Sequence, residues 1–125
     1  MDILLVRGLP GSGKSTMAKQ FVTKGWVLCE ADEYFYNSKG VYCFNPKELK
    51  HAHSACVLKA RKALYHKQNV IVCNTFVKKW EMQDYYDLAE EFEATLSVAV
   101  KRENYGNIHG VPDWKMEQMA ADWED

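Results

Sequence analysis

Gly8-Leu9-Pro10-Gly11-Ser12-Gly13-Lys14-Ser15, followed by Thr16, is the segment of this chain whose residue types and spacing point most directly to chemistry. It reads G-x-x-x-x-G-K-[ST] and follows the apolar run Ile3-Leu4-Leu5-Val6, so that a strand, a glycine-rich turn and a helix succeed one another. Glycines let the backbone curl until several N–H groups point at the same phosphate oxygens. A helix starting near Lys14 adds its positive N-terminal end to that pocket. In such a loop Leu9, Pro10, Gly11, Ser12, Gly13, Lys14, Ser15 and Thr16 hold a nucleoside triphosphate. Lys14 then reaches the β- and γ-phosphates, and the Ser15 hydroxyl ligates Mg²⁺. Bound ATP and Mg²⁺ are the expectation.

Phosphoryl transfer needs charge neutralisation, alignment and an acceptor for the attacking hydroxyl's proton. Asp32 follows the short apolar segment Val27-Leu28-Cys29 and precedes an aromatic stretch, which places a carboxylate near the terminal phosphate. It reads as a general base; the alternatives are a water-mediated Mg²⁺ ligand or a turn cap. Arg102, in a polar loop after the last strand, reads as an arginine finger supplied in cis or as a surface arginine at a strand end. His109, in Ile108-His109-Gly110-Val111-Pro112, reads as a structural hydrogen-bonder or a substrate contact. His51 and His53 lie two apart on a helix and diverge, so they do not share a metal. Tyr34, Phe35, Tyr36 and Tyr42 surround Asp32 in sequence, either to stack an acceptor base or to pack the loop.

The elements that must position these groups alternate strand and helix, the pattern of an α/β fold with a parallel sheet. Strands are expected at the first apolar run, at 27–29, at 70–73 and at 94–100. Helices are expected over 14–24 (Met17, Ala18, Phe21 and Val22 inward), from Asn45-Pro46 to about Gln68, from Lys79 to Phe92, and from Pro112 onward. Asn45, Pro46 and Glu48 form an N-terminal signature for the second of these. Its buried stripe is Leu49, Ala52, Cys56, Ala60, Ala63 and Leu64; that of the third is Met82, Tyr85, Tyr86, Ala89 and Phe92. Unbroken apolarity marks Val70-Ile71-Val72-Cys73 as a central strand covered on both faces. Ligands of open parallel sheets bind beyond the carboxyl ends of the strands. The loop at 8–16, Asp32, Asn74-Thr75 and 101–111 therefore converge on one edge.

With 125 residues, the chain reads as one domain, 1–125. Its 47% apolar and 26% charged residues are ordinary for a soluble globular protein. No apolar run approaches the roughly 20 residues that span a bilayer. No membrane partner and no structural metal are expected. Four cysteines without a C-x-x-C pair read as buried thiols, and the expected compartment is the cytoplasm. The net charge of −1 conceals an asymmetry. Residues 46–68 hold six lysines and arginines, and 81–93 six acids, so the basic helix either faces a phosphodiester or is simply solvated.

Arg7 through Thr16 and Ala31-Asp32-Glu33-Tyr34-Phe35 resemble the polynucleotide-kinase-like P-loop kinase family, including the kinase domain of phage polynucleotide kinase and short phage and bacterial AAA-type ATP-binding homologues. The similarity continues through Gly40 to Phe44, Ala52-His53, Asn74-Thr75, Trp80-Glu81-Met82 and Asn107 to Pro112. It implies a P-loop kinase fold, a small parallel sheet of about four strands with helices on both faces. It also implies ATP-dependent phosphate transfer to a hydroxyl of a nucleic acid or nucleotide acceptor, first a polynucleotide 5′-OH. Lys14, Asp32 and Arg102 match the family's catalytic positions; Tyr34, Asn74, Thr75 and His109 fall at substrate-side positions. Three departures stand out: Phe35 where the family carries an arginine gripping the acceptor, Cys73-Asn74 where an aspartate is common, and Gly106 in place of a second lid arginine. They keep open a kinase of hydroxymethylated bases or nucleosides, and a non-kinase ATP-binding regulator or slow ATPase.

Overall fold

Each of the four apolar runs supplies one strand of a single parallel sheet: β1 (Asp2–Arg7), β2 (Val27–Cys29), β3 (Val70–Asn74) and β4 (Thr95–Val100), in spatial order β2-β3-β1-β4. The computed structural model describes residues 1–104, 106 and 110–125. Val6 lies beside Cys73 and Ala99, and Cys29 beside Val72, so the carboxyl ends of the strands finish together at one edge. Strand side chains alternate between the two faces. Ile3, Leu5, Val70 and Val72 pack with Cys29 under α2 (Leu49–Tyr65) and α3 (Gln83–Glu91). Val6, Ile71 and Cys73 pack under α1 (Lys14–Val22). Helices thus cover both faces, and every residue of β3 is buried, as its unbroken apolarity predicts.

Several expectations need correction. Val22, Leu49 and Tyr86 are exposed (45%, 41% and 45%), whereas Leu88 joins the core. In each case the apolar residue lies at the margin of the helical stripe, beyond the reach of the sheet. The second helix ends at Tyr65 rather than Gln68, because Lys67 turns left-handed (φ 59°) to return the chain to β3. A tight turn over Pro46–Glu48 precedes α2, with Asn45 accepting the Lys47 N–H as its cap. A similar turn, Lys79–Met82, leads into α3. The final helix, α4 (Asp113–Asp122), buries none of its residues completely. Residues 31–44 are not simply a loop. Ala31–Phe35 form one turn of 3₁₀ helix, and Tyr36 pairs antiparallel with Tyr42. Cys29, Cys56 and Cys73 are buried free thiols, but Cys43 is exposed.

Arg7, at the end of β1, is almost completely buried. Its guanidinium donates to the Phe76 carbonyl (2.8 and 3.0 Å) and to the Glu124 carbonyl, and it lies 4.4 Å from the Trp123 ring centroid. Glu124 N in turn donates to Val77 O at 2.9 Å. A buried cation must be paired with acceptors to survive the loss of water. Arg7 therefore straps residues 123–124 against the sheet edge where the phosphate loop begins.

Candidate active site

The loop after β1 takes its shape from two left-handed glycines, Gly11 (φ 81°) and Gly13 (φ 98°), the latter at the start of α1. A Cβ at Gly11 would stand 1.9 Å from the Gly106 carbonyl oxygen, so Gly106 presses onto the loop at this point. A Cβ at Gly8 would meet Ser12 Oγ at 2.2 Å. Gly8 N donates to Thr75 O (3.3 Å), which ties the loop's start to the end of β3. Lys14 Nζ bonds the carbonyls of Gly8 (2.6 Å) and Leu9 (3.0 Å), so the ammonium sits inside the loop. Burial lowers its pKa, opposed by the charges of Cys73, Asp32 and Glu30. Ser15 and Thr16 are exposed in the first turn of α1. Ser12 Oγ is buried without a hydrogen-bond partner, the one such side-chain atom among the described residues. An orphaned buried hydroxyl at a phosphate-sized loop fits a ligand that accepts its proton.

Asp32 rides on the turn after β2, half-buried, and accepts a hydrogen bond from Tyr42 Oη at 3.2 Å. The Tyr42 hydroxyl is held protonated by burial first and then by the neighbouring Asp32 charge. Asn74 does not simply face a substrate. Its Oδ1 accepts from Ala31 N (2.9 Å), the residue before Asp32, and its Nδ2 donates to Cys56 Sγ (3.7 Å). Tyr85 Oη donates to the same sulfur at 3.2 Å. A buried chain, Tyr85–Cys56–Asn74–Ala31, thereby sets the height of the Asp32 turn above the sheet. Asn74 was expected on the substrate side; its hydrogen bonds to Ala31 and Cys56 were not foreseen. The links of this buried chain join residues 29, 18 and 43 apart in sequence.

Glu30 is the group that sequence reading passed over. Its carboxyl is pushed above the ordinary range by burial, then by Glu33 and Asp32, with Lys59 and Lys14 opposing. Proximity to a lysine inside a phosphate loop was the only available signal, and spacing alone does not show it. Because its folded pKa is raised, Glu30 contributes most to stability below its ordinary pKa of 4.5. That contribution is lost as pH rises through the folded value. Glu30→Gln is therefore expected to raise the melting temperature at pH 7 and to leave it unchanged near pH 4. Thermal denaturation at the two pH values checks the sign.

Arg102 bonds Asp125 Oδ1 at 2.7 Å, an exposed pair, and lies 5.9 Å from the Trp123 ring centroid. Together with Leu9, Ser12, Lys101 and Trp123 it borders a cavity of about 270 Å³ beside the phosphate loop. An exposed ion pair of this kind is worth little. His109 lies outside the described residues. The basic helix is partly neutralised: Lys59 pairs with Glu33 (2.8 Å) and Arg61 with Glu91 (2.7 Å). Among the described residues no group of three or more His, Cys, Asp or Glu could hold a metal ion, and no helix is long and apolar enough to cross a membrane.

A parallel β2-β3-β1-β4 sheet, a glycine loop closing on a lysine and a carboxylate at the next strand end define a nucleotide-binding P-loop domain of kinase-like type. The chain belongs to the AAA domain family, whose model matches residues 3–103. Human NEDD4-binding protein 2 is 32% identical over 134 residues, covering 98% of this chain. The match spans only 8% of that protein's length. The same fold occurs in a structure of the Pnkp1/Rnl/Hen1 RNA repair complex (TM-score 0.66, 23% identity, 96% of this chain and 36% of that one). It recurs in a gluconokinase from Sinorhizobium meliloti 1021 (TM-score 0.60, 15% identity, 99% of this chain and 75% of that one).

Proposed function

We propose that the protein transfers the γ-phosphate of ATP to a hydroxyl of a nucleic acid, a polynucleotide 5′-OH in the first instance. The observation that carries this reading is the convergence of Lys14 and Asp32. The two lie close enough for the Asp32 charge to raise the proton affinity of Lys14. In the reaction the acceptor oxygen attacks the γ-phosphorus, the bond from that phosphorus to the β-bridging oxygen breaks, and ADP departs. Asp32 takes the acceptor proton, and Lys14 steadies the charge that gathers on the β- and γ-oxygens. Arg102, once it leaves Asp125, supplies a second cation from the 101–111 segment.

The donor set suits Mg²⁺, a hard ion that prefers oxygen. The Ser15 hydroxyl stands at the helix start, and the Glu30 and Asp32 carboxylates follow the end of β2. When bound, the ion neutralises phosphate charge. The groove of about 290 Å³ between α1 and the end of β4, lined by Thr16, Met17, Gln20 and Val100, is our assignment for the nucleotide base. The fold shared with a component of an RNA repair complex is the reason a nucleic-acid acceptor is put first.

The test is an acceptor panel with γ-labelled ATP: 5′-OH single-stranded DNA and RNA, hydroxymethylated duplex DNA, and free nucleosides. Label on the 5′-OH strands is the expected result. Label confined to the hydroxymethylated duplex or to nucleosides moves the acceptor to those alternatives. No label on any of them overturns the kinase reading in favour of a nucleotide-binding regulator or slow ATPase.

A further inference from the structure

Residues 31–44 contain five aromatic side chains and one basic residue, Lys39. The structure divides those rings into two groups. Phe35 is buried at the centre, where it packs on Ala31 and Ala52. Around it stand Tyr34 (5.4 Å between centroids), Phe44 (4.9 Å) and Tyr42 (6.2 Å). Tyr36 continues the array beyond Tyr42 at 5.3 Å, across the antiparallel bridge. Packing the turn onto the domain requires Phe35 and half-buried Tyr42. It does not require Tyr34, Tyr36 or Phe44, which remain 44%, 47% and 52% exposed. A cluster of exposed aromatic surface marks an interaction site.

We infer that Tyr36 and Phe44 form a stacking platform for the unpaired bases of a single-stranded nucleic acid whose reacting hydroxyl lies at Asp32. This rests on the kinase reading for its direction, and the observations that carry it are geometric. Tyr42 bonds the Asp32 carboxylate through its hydroxyl (3.2 Å) while its ring touches Tyr36 on one side and lies near-parallel to Phe44 on the other. The ring that links Tyr36 and Phe44 is therefore the one bonded to the carboxylate that would take the acceptor's proton. A base attached to the reacting hydroxyl stacks on every aromatic face it passes, whatever its identity. Charge points to the same class of ligand. Lys39 lies in the turn between Tyr36 and Tyr42, and Lys47 follows Phe44 by three residues; both are exposed, and neither appears in an ion pair among the described residues. The two lysines thus lie close in sequence to the exposed rings, where a phosphodiester backbone would need cations. A protein partner would use the apolar rings but not this distribution of lysines.

The arrangement makes the acceptor site one that reads bases by stacking rather than gripping a phosphate next to the reacting hydroxyl. The test measures binding apart from catalysis. A 5′-OH single-stranded octanucleotide carrying a 3′ fluorophore is titrated with protein, without ATP, and followed by anisotropy. The same strand with abasic sites at its first two positions serves as the second probe. Tyr36→Leu and Phe44→Leu are each expected to weaken the first probe about tenfold and to leave the second unchanged. Phe44→Tyr is expected to keep the parent's affinity for the first probe, since the stacking face is retained. Melting temperatures near the parent's confirm that the turn stays folded. Equal affinity of the parent for the two probes, or leucine variants that bind as the parent does, overturns the platform and leaves these rings to a protein partner or to packing. Should the platform hold while no acceptor is labelled from ATP, only the kinase reading fails. Should labelling proceed with a KM indifferent to both leucine substitutions, only the platform fails.

Discussion

Asp32→Asn is expected to lower phosphate transfer by about 10²–10⁴-fold while ATP affinity stays within about twofold of the parent. Asparagine keeps the size and the hydrogen-bonding oxygen of the carboxylate, so Tyr42 retains its partner and the turn over Ala31–Phe35 keeps its shape. What is lost is the ability to take a proton from the attacking hydroxyl. Because the Asp32 turn is pinned from below by the Asn74 amide on Ala31 N, the substitution has little freedom to relax into a new arrangement. Single-turnover transfer and equilibrium ATP binding, measured on the same preparation, separate the two effects. Unchanged transfer would remove Asp32 from the mechanism. A slow ATPase that never uses an acceptor hydroxyl would show no transfer in the parent to begin with.

Lys14→Ala is expected to lower transfer by about 10²–10³-fold and to weaken ATP binding as well, in contrast to Asp32→Asn. The ammonium lies where triphosphate oxygens would compete with the Gly8 and Leu9 carbonyls that hold it, so it serves both ground state and transition state. Arginine is not expected to rescue it, since a planar guanidinium cannot occupy the same two-carbonyl seat as a compact ammonium. Burial has a further consequence. The pKa of Lys14 lies below its ordinary 10.5, so as pH rises the neutral amine appears earlier than on a free lysine. ATP affinity is therefore expected to fall on the alkaline side below that value. Stability moves the opposite way. The unfolded chain holds the Lys14 proton more tightly, so this group's contribution to stability rises with pH across the same window. Isothermal titration over that range, with melting curves alongside, checks both signs.

How much was legible in the chain differs element by element. The strands and the phosphate loop were plain because their signals are local: apolar runs of the right length, and glycines at fixed offsets from a lysine. The buried stripe of α2 followed its 3.6-residue period, except at Leu49, where the helix extends past the sheet. The turn carrying Asp32 read as irregular, since a single 3₁₀ turn has no period to detect. Arg7, adjacent to the loop, looked like one more motif residue. Only the fold shows it buried, holding Phe76 and the strand-like tail at Glu124.

The sequence by itself determined the class of site: a P-loop, a carboxylate after the second strand, and a parallel α/β frame to bring them together. Those features depend on neighbours a few residues away, and short-range chemistry is written in spacing. The tertiary structure alone decided which polar groups act on one another. It joined Asn74 to Ala31, set Tyr42 on Asp32, brought Glu30 towards Lys14 and turned Arg102 to Asp125. It also sorted five neighbouring aromatic residues into a buried anchor and an exposed row. The physical reason is common to all of these. Burial and distance set the strength of a hydrogen bond, a charge or an exposed ring, and both are settled only when β2, β3 and α2 close on one another.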